Sequence, residues 1–512
     1  MVLTALGLLC LPAILPVVAI AGLRPVSLFL VPLGGAALAA ISAIFVFAVI
    51  GSVAVWFAIF AVLANVGACT GILSRLRNRR RASVSGINGR SEEHRPVRGH
   101  PEATVWKIAC TVVVVLAVAW PLMVLRVPVI GYDAQAIWLL HTALVWGGHQ
   151  VMVAGLTNPV YRVSNPDYPP LVPGAGALAY TSIGHINERV AVDITVVLNA
   201  CALGVVGTGL LQIVPTTVTR VRRVAALLVV FIFCGAAFGI AGTFGVSGYA
   251  DMLWSVAALG ATVYGLVLPR NAQGLLIAWL CIVVASLTKN EGTISCVFIS
   301  LLIAARYIGW QMARRGGPAR GHSGRPVGIN LTRWVRFLVM ASIPMIPAVL
   351  WVGAVRLHGI QNSFFAGGSS QSPAFRLATA SIGMSHYLYI ALAALVVLAL
   401  GGLTLRTRRS DLRLANSLWL WVVVLAVLAV ILATYVAGSY EIHWWLSTSA
   451  SRTTIFAQTA MLSDMTIWAL VLICVAGQSE RSGSDAELPS EPVHQPERDR
   501  PTNPIYTGIT LK

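Results

Sequence analysis

Five short stretches carry the side chains best suited to chemistry. "GYDAQAIW" holds Asp133, "NPDYPPLVP" holds Asp167 and Tyr168, and "SGYADMLW" holds Asp251. "LTKNEG" holds Lys289, Asn290 and Glu291, and "HWWLSTSASR" holds His443 and Arg452. A carboxylate can take a proton or hold a cation; lysine and arginine hold anions, arginine through two oxygens at once. Each stretch also has a plainer reading. Asp133 precedes a helix marked by Ile137, Leu140 and Leu144, so it could be an N-cap, with Trp138 and Trp146 suited to a lipid headgroup layer. The prolines around Asp167 and Tyr168 stiffen an extended turn, or open a helix with Pro in its first turn. Lys289 and Glu291 could be an exposed ion pair in a tight turn, which is worth little.

The elements that must position these groups are membrane helices. The chain has 512 residues, 57% hydrophobic and only 11% charged, against about 25% charged in soluble domains. Its mean hydropathy is +0.80. Apolar runs of about 20 residues recur throughout, which is the pattern of membrane-crossing helices. Thirteen spans are expected, near 4–22, 27–49, 53–73, 105–124, 189–213, 224–242, 253–268, 274–288, 292–309, 335–354, 385–404, 415–436 and 454–475. The first lacks a charged leader and a clear cleavage site, so it reads as a retained helix. The net charge of +18 does not point to nucleic acid, because the arginines gather in loops between spans, where they set topology and touch anionic lipid. All eight cysteines fall in apolar spans and read as free thiols.

Placing the basic loops in the cytoplasm puts 29 of the 36 Lys+Arg on one side. The other seven are Arg126, Arg162, Arg189, Lys289, Arg356, Arg376 and Arg452. The expectation is a multi-pass plasma-membrane protein with its N-terminus outside and its C-terminus in the cytoplasm. It requires that "PPLVPGAGALAYTSIG", from Pro169 to Gly184, lie at the interface rather than span. Residues 1–74 then form a three-span N-terminal segment, 75–104 a basic cytoplasmic linker, 105–476 the main membrane domain with an outer loop at 126–188, and 477–512 a disordered cytoplasmic tail. Seven acids fall at outer loops or outer helix ends: Asp133, Asp167, Glu188, Asp193, Asp251, Glu291 and Glu441. Ionisable groups at membrane depth are costly and by default mark a site or a substrate path.

Taken in order, the motifs resemble the membrane-embedded glycosyltransferases of the GT-C superfamily, in the bacterial branch of aminoarabinose lipid A transferases and protein O-mannosyltransferases. The likeness rests on "YDAQAIW", "DYPPL", the Ala250–Asp251 pair, "TKNEG" and "HWWLSTSASR", and runs from about Val105 to Ala476. Three N-terminal spans exceed what the resemblance needs, no large C-terminal extracytoplasmic domain is evident, and a single Asp133 stands where paired acids are common. The resemblance implies an all-α polytopic fold with interfacial helices in the first outer loop and an extracytoplasmic site. It implies transfer of a sugar from a polyprenyl-phosphate donor to a hydroxyl on a glycan, lipid or protein. Asp133 is then the base; Lys289, Arg452 and Arg162 would cradle the leaving phosphate, with Tyr168 and His443 bonding phosphate or sugar. Asp167, Asp251 and Glu291 would orient cations or sugar hydroxyls. Several outer carboxylates could admit a divalent metal, but no clean ligand motif is present, so no cofactor is assigned. The alternative, a transporter or lipid-linked-sugar flippase, would show inverted repeats and broken helices at mid-membrane, whereas here the polar groups gather at one face.

Overall fold

The computed structural model describes residues 1–22, 24–85, 101–124, 130–215, 218–315, 331–361, 370–387 and 412–484, with a few positions between 389 and 396. Among the described residues there are helices and no strands. They are α1 (Val2–Ala21), α2 (Pro25–Ala48), α3 (Val53–Ser85), α4 (Pro101–Val124), α5 (Ala134–Trp146), α6 (His149–Thr157), α7 (Leu171–Ile183), α8 (Glu188–Leu211) and α9 (Arg220–Ala241). After these come α10 (Asp251–Val267), α11 (Ala272–Ser286), α12 (Asn290–Arg315), α13 (331–357), α14 (Pro373–Gly383), α15 (Leu412–Ala437), α16 (Ile442–Thr453) and α17 (Ile455–Ser484). Polar caps set several starts: Asn187 accepts from the Val190 N–H, Asn271 from Gly274 and Ser372 from Phe375.

Nine of the described helices are long and apolar enough to cross a membrane, and shorter apolar helices lie beside them. The chain is therefore a multi-pass membrane protein by length and composition. Each expected span has a helix at its position except 385–404, most of which lies outside the described residues. Those at 105–124, 253–268 and 274–288 meet only shorter apolar helices. Residues 86–100 and 485–512 also lie outside the described residues, but α3 runs on to Ser85 and α17 to Ser484. Arg75, Arg77 and Arg79–Arg81 thus sit on the last turns of a helix rather than in a loop.

Side-chain bonds identify the two ends of the bundle. At one, Arg75 donates to the Ala19 carbonyl at 2.7 Å, Arg306 to Gly265 at 2.7 Å and Asn416 to Val267 at 3.1 Å. At the other, Asp251, Lys289, Asp133 and Arg452 meet. Lys289 precedes the start of α12 and Arg306 lies towards its end, so the two groups sit at opposite ends of that helix.

Two segments of the chain are packed deeply among their neighbours. Helix α7 does not lie on a surface: Leu171 to Tyr180 are all buried, against α1, α2, α5 and α8. At 13 residues it is about 20 Å long, too short to cross alone. Gly174 makes this possible, since a Cβ there would come 2.7 Å from the Ala39 carbonyl oxygen. The N-terminal spans pack into the same bundle. Helix α2 is buried along most of its length, and Phe47 near its end packs on Trp351 of α13. The eight cysteines are free; Cys110, Cys234, Cys281 and Cys296 are buried, whereas Cys69 is exposed on α3.

Candidate active site

Three loops and two helix starts bring the site together. Gly131 donates its N–H to the Ser247 carbonyl at 3.1 Å, tying the start of α5 to the loop before α10. Leu171 donates to the Leu287 carbonyl at 2.8 Å, tying the proline turn to the α11–α12 hairpin. Asn165 takes a left-handed conformation (φ 52°) that turns the chain into this segment.

A cavity of about 420 Å³ lies among these elements, lined by Asp133, Tyr168, Asp251, Lys289, Glu291 and Arg452 together with an aromatic wall. Asp133 makes no cap to its own helix; its carboxylate instead accepts a hydrogen bond from Arg452 Nη1. The N-cap reading therefore fails for Asp133. It holds for Glu441, whose carboxylate accepts the N–H groups of His443 and Trp444 at 3.1 and 2.7 Å and so starts α16, the helix that carries Arg452.

Lys289 is almost fully buried. It donates to Asp251 at 2.7 Å, lies 3.3 Å from Glu291, and sits 5.7 Å from the centre of the Tyr168 ring. This is a desolvated triad, not the exposed pair of a turn. Burial disfavours the lysine charge, but Asp251 and Glu291 outweigh it, so its pKa lies above the ordinary value. Tyr168 stacks on Trp138 (5.4 Å, 14°). Burial first, then the nearby Glu291, Asp167 and Asp251, raises its pKa well above normal and keeps the phenol a donor. Trp138 is thus a buried wall rather than a headgroup anchor. Trp146 is half-buried, edge-on to Tyr180 at 6.3 Å.

Both cations retain donors. Arg452 uses Nη1 on Asp133 and Nε on the Thr448 carbonyl at 3.2 Å, leaving Nη2 without a bond among the described residues. Its guanidinium lies 5.3 Å from the Tyr249 ring and 5.8 Å from Phe244, which brace it from one side. Lys289 has three N–H donors, one bonded to Asp251, with Glu291 close by as an ion-pair partner.

The other expected site residues fall elsewhere. Arg162 is exposed at the end of a short 3-10 turn and does not line the cavity. His443 is exposed against Phe375, 6.2 Å between rings, and also does not line it. Asp167 lines a separate cavity of about 280 Å³, accepting from Asn290 Nδ2 at 2.6 Å, while its backbone carbonyl accepts from Trp351 Nε1 at 2.9 Å. Arg376 is structural: its guanidinium caps the end of α15 by donating to the Tyr435 and Val436 carbonyls, both at 3.0 Å, and also to the Tyr440 carbonyl just beyond it at 2.6 Å. Arg126 lies outside the described residues.

Sequence reasoning missed the hydroxyl cluster of Tyr435, Ser449 and Thr453, in which the phenol lies 2.9 and 3.0 Å from the two hydroxyls. It also missed Tyr440, Trp444 and Trp445 as cavity wall. The i, i+4 spacing of Ser449 and Thr453 was the available signal. Among the described residues no three His, Cys, Asp or Glu side chains are arranged to hold a metal ion. No protein-family model matches the chain, and neither the curated proteins nor the solved structures yield a match.

Proposed function

We propose that the chain is a membrane glycosyltransferase of the GT-C type, moving a sugar from a polyprenyl-phosphate donor to an acceptor hydroxyl at the extracytoplasmic face. The observation that carries this reading is the meeting of Asp133–Arg452 and Asp251–Lys289–Glu291 in one aromatic-walled cavity at the poorly basic end of the bundle. Aromatic faces suit sugar rings, and spare guanidinium and ammonium donors suit a phosphate. The transporter reading gains less, because these ionisable groups meet at one end of the helices rather than midway along them.

In this scheme the acceptor oxygen attacks the anomeric carbon, its proton passes to Asp133, and the carbon–oxygen bond to phosphate breaks with the electron pair leaving on the phosphate. Arg452 couples the parts. A phosphate that engages its guanidinium competes with Asp133 for it, so donor binding loosens the carboxylate that must accept the proton. Asp251 and Glu291 hold Lys289 charged beneath the same phosphate.

The test uses membranes carrying wild type or Asp133→Asn at matched expression, a panel of radiolabelled polyprenyl-phosphate sugars and a cell-envelope acceptor extract. Transfer by wild type should fall about 10²–10⁴-fold in the variant, the usual contribution of a general base. Transfer surviving in the variant would return Asp133 to the role of an anchor for Arg452. No transfer by wild type from any donor would favour the transporter.

A further inference from the structure

Helices α10 and α12 start at one level, where Asp251 meets Lys289, but they end at different levels. At the end away from the main cavity the chain turns back from α10 to α11 through Leu268 to Asn271 alone. The two helices joined there rise about 25 and 22 Å, against a hydrocarbon core of about 30 Å, so the turn stays at headgroup depth. Helix α12 passes the turn at Arg306 and runs on to Arg315, about 13 Å further. Two arginines come together at this recessed turn. Arg306 is 6% exposed; its Nη1 donates to the Gly265 and Leu268 carbonyls at 2.7 and 3.2 Å, and its Nη2 to Leu268 at 3.2 Å. Arg270 is close enough for its charge to act on Arg306 and on the Tyr307 phenol, which donates to the Asn271 carbonyl at 2.8 Å. The Nε of each arginine is buried without an acceptor. Among the described residues Arg270 makes no hydrogen bond, and no carboxylate lies within ion-pair distance of either arginine. Capping the end of α10 accounts for Arg306. It does not account for a second, unbonded guanidinium placed beside the first, where like charge and desolvation both oppose it.

We propose that Arg270, backed by Arg306, binds the phosphate of an anionic phospholipid headgroup at this end of the bundle. A phosphate brings the acceptor oxygens that the Arg270 fork lacks, and its charge offsets the two guanidinium groups. The depth of the turn favours a lipid phosphate over a soluble anion, and a site with cations alone disfavours a headgroup that carries its own ammonium. The site lies at the opposite end of α12 from the substrate cavity and stands whether or not that cavity transfers sugar.

Native mass spectrometry of the full chain in detergent, titrated with phosphatidylglycerol and phosphatidylcholine of identical acyl chains, tests it. Phosphatidylglycerol should bind about tenfold more tightly, the worth of one hydrogen bond to a charged group. Arg270→Gln should remove this preference, and Arg270→Lys, which keeps the charge without the fork, should retain part of it. Arg220→Gln, which removes an exposed arginine at the start of α9, should leave it unchanged. Inorganic phosphate at the same concentration should not displace the lipid. Equal binding of the two lipids, or an unchanged preference in Arg270→Gln measured on folded protein, would overturn the proposal. So would an equal loss in Arg220→Gln, which would mean a diffuse response to charge, or displacement by inorganic phosphate, which would mean a soluble anion.

Discussion

At the residue scale, Arg452 is the most exposed to test because it carries two roles through one fork. Lysine at this position keeps the charge but cannot hold Asp133 and a phosphate together. Arg452→Lys should therefore raise the donor KM about 10–100-fold, the worth of one hydrogen bond to a charged group, with a smaller fall in kcat. A fall in kcat at unchanged KM would show that Arg452 acts only through Asp133. His141, on α5 and outside the cavity, gives a pH signature. Its Nε2 lies 3.1 Å from Ser164 Oγ, and the serine donates onward to the Tyr161 carbonyl at 2.7 Å, so the imidazole donates to Ser164. Burial pushes the imidazole down to about 4. The folded state resists a proton that the unfolded chain takes up near pH 6.5. Stability is thus full above that pH and is lost as pH falls towards 4, by up to about 3 kcal/mol. Thermal unfolding in detergent should show Tm falling across this window, and His141→Gln should flatten the slope.

At the element scale, glycines set how closely the walls of the cavity approach. A Cβ on Gly438, after the end of α15, would come 1.9 Å from the Trp445 ring. Gly438→Ala should therefore displace Trp445 from the wall and reduce transfer several-fold, with Tm lowered by no more than the equivalent of about 1–3 kcal/mol of overpacking. Activity assays beside thermal unfolding separate the two effects; unchanged transfer would show that Trp445 does not touch substrate. The same close packing explains what could be read in advance. Asp133, Asp251, Lys289, Glu291 and Arg452 were legible because each interrupts an apolar context at or next to a helix end, where a charge has to be accounted for, and Tyr168 because prolines fix the turn that holds it. Tyr435, Ser449 and Thr453 were not, because their place in the site depends on how α15 and α16 are rotated. Arg162 and His443 were overread for the same reason: proximity in sequence does not say which side of a turn faces the cavity. Asp167 and Tyr168 are neighbours in an extended turn, and adjacent residues there serve different cavities.

At the scale of the whole molecule, the segregation of charge predicts an orientation. In a cysteine-free background, single cysteines at positions 162 and 443 should react in intact cells with a membrane-impermeant maleimide, and cysteines at 222 and 270 only after permeabilisation. The reverse pattern would place the cavity in the cytoplasm and remove the lipid-linked donor from the mechanism. The positions of the nine long apolar helices were readable from the apolar runs. The depth of α7 was not, since a 13-residue segment rich in Gly and Pro has the same composition on a surface or between helices.

That buried helix bears on how the protein is made. Helices α1 and α2 leave the ribosome long before α7 exists, and α8 follows it, yet all three pack around it. A segment too short to cross alone depends for its burial on the helices that pack around it, including α8, which is made after it. The order of insertion and the order of packing therefore differ, and the walls of the cavity are completed only after the C-terminal helices α15 to α17 have arrived.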